Sequence, residues 1–447
     1  MIRHLIAGRF GISDNIQLEK DNDEVINYLD FITQNDKFTP WLETTLKRLN
    51  DLKIQPSELG FDLLILAAHV NLADTHISRI KDSQDSWTRE IRLVIPVSNP
   101  SKWRNSITTI EKMLNFLTGD LWVINFRKRP EKVQALLTIK NKPENPKFDR
   151  LSLFSGGLDS LIGAIDLLEQ GKSPLFISYL GDGSVSSPQS NLFSLLKKEY
   201  SKRNFERFKI GIEFPKEIIK ESKHENTSRG RSFHFIAIAV LAGTAFSNGF
   251  ILNIPENGFI ALNVPLDNLR LGSLSTRTTH PYYLFLWNKL LSELQINGLL
   301  ENPYWRRTKG NMIRECSNIN FLKKSYVKSM SCAAPTKLRW FGFTTQHCGY
   351  CLPCIIRKAS LNFGLGKGID KTKYWKKNLK QLVSENNITT MQQIRSFQYA
   401  INVTNKNPKI AKYLIHLPGP LPSFKEEDFK SLVDVYRNGL KEIEILL

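Results

Sequence analysis

The chain has 447 residues, 41% of them apolar and 10% aromatic, enough for about two to four packed domains and too apolar for a globally disordered protein. No stretch reaches the ~18 uninterrupted apolar residues of a membrane span. The opening "MIRHLIAGRFGISDN" lacks the apolar core and cleavage site of a signal peptide, so the cytoplasm is the expected compartment and no membrane partner is expected.

The formal net charge of +19 favours anionic partners: nucleotides, an acidic protein or nucleic acid. The basic residues look spread along the chain, with no Arg-rich arm and no long Lys run, so nucleic acid is the less favoured of the three.

Residues 1–148 read as one α+β unit. "FDLLILAAHVNLADT" and "REIRLVIPVS" read as strands. "KWRNSITTIEKMLNFLTG" places Ile107, Ile110, Met113, Leu114 and Leu117 at helical spacing and stops at Gly119. "DLWVINFRKR" reads as a further strand, and nothing in the unit is a nucleotide signature. The polar stretch "NKPENPKFDR" at 141–150, with two prolines, reads as a linker.

From residue 151 the pattern changes. "LSLF", "PLFISYL", "RFKIGIEF" and "FILNIP" read as strands, separated by the helical "LIGAIDLLEQG", "SNLFSLLKKEY" and "FHFIAIAVLAGTAFSNG". Alternating strands and helices predict an α/β domain with a parallel sheet covered on both faces. Such sheets bind ligands at the carboxyl ends of their strands. "SGGLDS" (155–160) lies at one such end and "ENG" (256–258) at another. The chain is then loop-rich until the helical "YYLFLWNKLLSEL", and the stretch beyond residue 370 reads as mostly helical. The expected units are 1–148, 149–370 and 371–447.

In "SGGLDS", Gly156 and Gly157 let the backbone turn tightly and bring N–H groups close to a ligand. Ser155 and Ser160 add hydroxyls, and the following helix aims its N-terminal amides and positive dipole end at the same place. The stretch reads either as an anion cradle or as a strand-to-helix turn that binds nothing. It is not a Walker A loop, and "GLGKGIDK" at 364–371, which follows no strand, is not one either.

The five cysteines are Cys316, Cys332, Cys348, Cys351 and Cys354. An odd number in one region argues for a metal site over a disulfide framework. "HCGYCLPC" spaces Cys348, Cys351 and Cys354 so that three thiolates converge on one ion, as in zinc knuckles. The fourth ligand is Cys332, His347 or Cys316. Ile355, Ile356 and Arg357 follow where an iron–sulfur cluster would want another cysteine, so Zn²⁺ is favoured.

"SGGLDS" after an apolar strand resembles the SGGxDS signature of the PP-loop ATP pyrophosphatases. The resemblance implies that Ser155, Gly156, Gly157, Leu158, Asp159 and Ser160 hold the pyrophosphate end of ATP. A PP-loop followed by a cysteine knuckle is similar to the QueC-like family, the 7-cyano-7-deazaguanine synthases. The family pattern falls on Cys332, Cys348, Cys351 and Cys354 as zinc ligands, with Arg357 following. "RGRSFHF" (229–235) resembles the family's Arg-containing helix start beside the nucleotide, and "RRTKGNMI" (306–313) its Lys-containing segment. The resemblance covers roughly residues 150–370. "YLGDGSVSS" lacks the family's Gly-Gln-Arg-His run, the gap from Cys332 to Cys348 is longer, and "STRTTHP" (275–281) and "ENGF" replace the usual substrate loop. With the added N-terminal unit, these departures resemble the long QueC-like proteins of bacterial anti-phage defence islands, most closely the QatC proteins of the Qat system.

The resemblance implies a Rossmann-like PP-loop fold and an ATP- and Mg²⁺-dependent ligase. That enzyme adenylates the carboxylate of a 7-carboxy-7-deazaguanine-like molecule and joins it to ammonia or to an amine of a partner protein in the same defence system. Asp159, Ser160 and Arg231 are the candidate catalytic residues. Glu256, Asn257, Arg277, Thr279 and His280 are the candidate substrate residues, because a Glu suits a guanine-like N–H edge and an Arg holds a carboxylate bidentately. His280, just before Pro281, equally suits a helix start, and His234 reads as a core histidine. Four thiolates would leave zinc no open position, which makes it structural. The rival readings are a tRNA-modifying PP-loop enzyme, with Cys316 as the sole cysteine for thiolation, and a non-catalytic ATP-binding scaffold.

Overall fold

The computed structural model describes residues 2–447 apart from 12, 34, 36, 132, 134–146, 181–182, 226–228, 269–276, 380–387 and 423. Two sheets organise it. The first holds β1 (Arg3–Arg9), β2 (Glu24–Asp30), β3 (Glu90–Val97) and β4 (Leu121–Lys128) in the order β2-β1-β3-β4. Every pairing is parallel, with Arg3 opposite Glu24 and Ile91 opposite Trp122. Parallel neighbours need crossovers. The helices α1 (Pro40–Asp51) and α2 (Glu58–His76) join β2 to β3, and α3 (Ile107–Thr118) joins β3 to β4. The N-terminal unit is therefore α/β in arrangement, which corrects the α+β expectation.

The correction turns on α2. Residues 61–75, expected as a strand, form most of this 19-residue helix. Nearly all of its side chains are buried, so it has no polar stripe and its sequence shows no helical periodicity. Its length alone exceeds that of an ordinary strand. Ser57 starts it, its Oγ accepting the N–H of Gly60 at 3.3 Å. By contrast α3 is amphipathic and ends as expected, with Gly119 at φ 76° donating to the Asn115 carbonyl.

The second sheet holds β5 (Arg150–Leu153), β6 (Pro174–Tyr179), β7 (Glu206–Ile210), β8 (Phe250–Asn253) and β9 (Gly298–Glu301), ordered β7-β6-β5-β8-β9 and wholly parallel. Between its strands run α4 (Leu158–Glu169), α5 (Gly183–Glu199), α6 (Arg231–Gly243) and α7 (Pro281–Glu293). The strand order reverses between β5 and β8, which makes their carboxyl ends the topological switch point where such sheets open a crevice. The four-residue β9 is too short to show an alternating pattern and was not anticipated. Of the expected linker, positions 141–146 lie outside the described residues.

The two sheets share one apolar core. Leu66 of α2, Leu93 of β3, Ile238 of α6 and Leu252 of β8 belong to a single buried cluster. At Gly60 a Cβ would meet the Thr244 hydroxyl at 2.5 Å, and that hydroxyl accepts the Ser57 N–H at 3.0 Å. A separate cluster gathers Ile355 of α8 (Leu352–Leu365), Phe397 of α9 (Ile388–Lys406), Tyr436 of α10 (Glu426–Glu444) and Phe259 of a short helix after β8. Among the described residues no helix is long and apolar enough to cross a membrane.

Candidate nucleotide and metal sites

The segment after β5 turns through Gly156, whose φ of 81° suits only glycine without strain. A Cβ there would also stand 3.0 Å from the Gln189 backbone nitrogen. Gly157 occupies the N-cap of α4 and, among the described residues, no side chain caps that end, which leaves first-turn amides for a ligand. The two hydroxyls frame the turn. Ser155 Oγ accepts from Gly157 N at 3.3 Å and lies 3.3 Å from Ser160 Oγ, which donates to the Gly157 carbonyl at 3.0 Å. Gln189, which sequence reasoning missed, braces the loop from α5, its Nε2 donating to the carbonyls of Ser155 and Tyr179 at 3.4 and 3.2 Å. Leu158 is buried in the core.

Asp159 lies in the first turn of α4 and ties the loop to the end of β8. Its Oδ2 accepts from the backbone and side-chain nitrogens of Asn257 at 3.2 and 2.8 Å. Its Oδ1 stands 3.2 Å from Lys309 Nζ, and Lys309 is buried. Lys309 opens a short helix capped by Thr308, whose hydroxyl, like the Gly310 N–H, reaches the buried Glu442 of α10. Asn257 also caps the next short helix through Ile260 N at 3.1 Å. Glu256 is half-buried and accepts from the Thr279 hydroxyl. Burial pushes its carboxyl up to about 7, and the nearby Asp159 adds to the rise.

A cavity of about 820 Å³ opens beside the loop, lined by Ser155, Tyr179, Glu213 and Arg231 and walled on the far side by Asn71 and His76 of α2. The Arg231 guanidinium lies 5.1 Å above the Tyr179 ring, and Gly230 N donates to Asp74 Oδ2 at 2.7 Å, which fixes the start of α6.

The remaining expected residues point elsewhere. Arg277 donates to the Phe116 carbonyl at 2.7 Å and lies over the Phe116 ring, turned toward α3. His280 caps α7, its Nδ1 accepting from Tyr282 N at 3.2 Å, and burial pushes it down to about 3, so it is neutral. The helix-start role is the one the geometry gives it. His234 is buried, as a core histidine should be, yet among the described residues neither ring nitrogen has a hydrogen-bond partner. Positions 275–276 of the substrate loop lie outside the described residues, as do 181–182 of "YLGDGSVSS".

Cys332, Cys348, Cys351 and Cys354 bring their sulfurs within 4.8 Å of one another. Zn–S bonds of about 2.3 Å place tetrahedral sulfurs about 3.8 Å apart. The Cys332–Cys351 and Cys348–Cys354 pairs are each 3.9 Å apart. The four residues fit a metal such as zinc, with no fifth protein donor needed. Backbone N–H groups of Cys348 and Cys351 point at the sulfurs of Cys332 and Cys348 at 3.4 and 3.3 Å and favour their thiolates. His347 is not in the set, because its Nε2 accepts from Ser331 N at 3.2 Å. Cys316 lies apart in another core cluster, where burial pushes its thiol up to about 12.

The knuckle is tied to the loop. Arg357 is fully buried and donates to Ser329 Oγ and the Tyr326 carbonyl, both at 2.9 Å, which orders the run into Cys332. Met330 N in that run donates to the Gly156 carbonyl at 2.9 Å.

No protein-family model and no curated protein matches the chain. Lys309 is the lysine of "RRTKGNMI"; besides Gln189, sequence reasoning gave no role to Asn71 or His76. The last two carry no local signal, because they reach the cavity only through the docking of α2 on the second sheet.

Proposed function

We propose that the chain is a QueC-like ATP-dependent ligase of anti-phage defence, adenylating the carboxylate of a 7-deazaguanine acid and joining it to an amine, ammonia or one from a partner protein. The observation that carries this reading is the uncapped first turn of α4 behind Gly156, at the switch point of a parallel sheet and bonded through Met330 to the run that enters the cysteine cluster. In the first step a carboxylate oxygen of the acid attacks the α-phosphorus of ATP and the bond to pyrophosphate breaks. The departing charge meets the α4 amides and the hydroxyls of Ser155 and Ser160. Mg²⁺ bound with the triphosphate would supply charge neutralisation, and Asp159 is the carboxylate that would hold it. In the second step the amine nitrogen attacks the acyl carbon, AMP leaves, and a proton must be taken from the amine. Glu256, with its carboxyl raised to about 7, is suited to take it. Lys309 keeps Asp159 in place. Zinc at the four cysteines would hold the wall of the site.

ATP–pyrophosphate exchange tests the reading. Exchange that depends on 7-carboxy-7-deazaguanine is expected. No exchange with ATP, Mg²⁺ and the acid present would reject ligation and leave the scaffold reading, which the commitment of Arg277 and His280 to α3 and α7 favours. Thiolation of tRNA loses support, because the thiol of Cys316 is buried and pushed up to about 12.

A further inference from the structure

The positive charge of the chain is not evenly spread. Residues 323–377 contain twelve Lys and Arg and a single acid, Asp370, so this one segment carries a net +11 of the chain's +19. The carboxylate of Asp370 is engaged within the segment, accepting from Thr372 N and Tyr374 Oη, both at 2.8 Å. Arg357 and Lys358 are buried, whereas Lys337, Arg339, Lys371, Lys373 and Lys377 are exposed.

Trp375 lies between Lys373 and Lys376 in the chain, and two further aromatic rings pack on it. Phe341 and Phe343 are 57% and 44% exposed. Phe341 stacks on Trp375 at 5.4 Å and 22°, and Phe343 leans on the same indole at 6.2 Å. Lys376 Nζ lies 5.2 Å from that ring. The guanidinium of Arg339 is steadied by Thr345 at 3.0 Å. Lys337 and the flanking Ala333 and Ala334 also line a groove of about 730 Å³ beside the cysteine cluster.

Exposed rings among lysines do not suit the core of a protein–protein interface, where Lys is depleted. Lysines alone would serve a duplex backbone, but stacked rings left open to solvent serve bases that are themselves unpaired. We propose that this face, built by Phe341, Phe343, Trp375, Lys373, Lys376 and Lys377, binds single-stranded nucleic acid, the rings stacking on bases and the lysines tracking phosphates. The inference is independent of the ligase reading.

The test uses the full-length zinc-loaded protein and fluorescence anisotropy with labelled oligonucleotides of about 20 nucleotides. The probes are oligo-dT, oligo-U and a mixed-sequence duplex, and the salt is raised from about 50 to 200 mM. Tighter binding of a single strand than of the duplex is expected, weakening with salt, and the dT and U arms tell DNA from RNA. Phe341→Ala with Phe343→Ala is expected to lose about tenfold or more. Lys373→Ala, Lys376→Ala and Lys377→Ala together should flatten the slope of log K against log salt by about 2. Both sets of side chains lie at the surface, and an unchanged zinc content checks that the knuckle is intact. The proposal is overturned if neither single strand binds at low salt, if the duplex is preferred, or if the double Phe variant binds as wild type does. Equal binding of poly-Glu would overturn it too, and would make the face a dock for an acidic protein.

Discussion

Asp74 of α2 accepts the backbone N–H of Gly230 at 2.7 Å, so a carboxylate from the first sheet's helix sets where α6 and Arg231 begin. The same carboxylate stands 3.3 Å from Arg89 and 3.8 Å from Arg79, and both guanidinium groups also reach Asp120. All four residues are buried. Removing one charge from such a network leaves a buried partner uncompensated, at a cost of about 3–5 kcal/mol. Asp74→Ala, which removes both the charge and the acceptor for Gly230 N–H, is expected to lower unfolding free energy by about that amount in a denaturant titration. It should also raise amide exchange over residues 229–235 more than over β5. A change confined to global stability, with α6 unaffected, would show that the Gly230 contact does not position Arg231.

The cysteine set makes a sharp prediction about stoichiometry. Cys348→Ser or Cys354→Ser removes one of four converging sulfurs, and bound zinc, read by native mass spectrometry, should fall from about one ion per chain to well below half. Cys316→Ser and His347→Gln should leave the metal in place, because Cys316 lies in a separate core and His347 is bonded to Ser331 N. Retention of full zinc by Cys354→Ser would mean that three sulfurs and an outside donor suffice.

Gly156 carries two constraints at once, a φ of 81° and a Gln189 nitrogen 3.0 Å from where a Cβ would be. A left-handed conformation costs a non-glycine residue about 1–2 kcal/mol, and the contact adds to it. Gly156→Ala is expected to lose at least that much stability and to reduce ATP–pyrophosphate exchange tenfold or more. Gln189→Ala, which only removes the brace, should affect exchange less. Equal exchange in wild type and Gly156→Ala would show that the turn does not touch the triphosphate.

How much of this was legible before the fold was known follows from the range of each interaction. The 155–160 turn and the cysteine spacing are local, and the chain brings them together over a few residues. The fourth sulfur, Cys332, needed the run that Arg357 holds, so spacing alone left His347 and Cys316 as rivals. The α2 helix was misread because burial on every side erases the polar stripe that would have marked it. Arg277 and His280 looked like substrate residues because they are polar and near a strand end. Their packing on Phe116, which turns both toward α3, has no local signal in the sequence. The basic segment 323–377 appeared diffuse because its lysines come singly or in pairs. The loop geometry that gathers them beside Phe341 and Trp375 is what turns them into a surface.

Glu256 should reveal itself in the pH dependence of stability. Its carboxyl is raised from the ordinary 4.5 to about 7, chiefly by burial, so the fold favours the protonated form. A group shifted upward in this way contributes stability below its unfolded value and loses it as pH rises through the folded one. Glu256→Gln fixes the neutral state and keeps an oxygen for the Thr279 hydroxyl. Wild type and variant should therefore be about equally stable near pH 4. Between about pH 4.5 and 7 the wild type should fall progressively behind, by on the order of 2 kcal/mol at pH 8. Thermal melts of the two proteins across that range measure the difference directly, and other titrating groups cancel in the comparison. A gap that does not change with pH would place Glu256 in the ordinary carboxylate range. It would then be a poor proton acceptor for the amine, and Asp159 would become the carboxylate to test next.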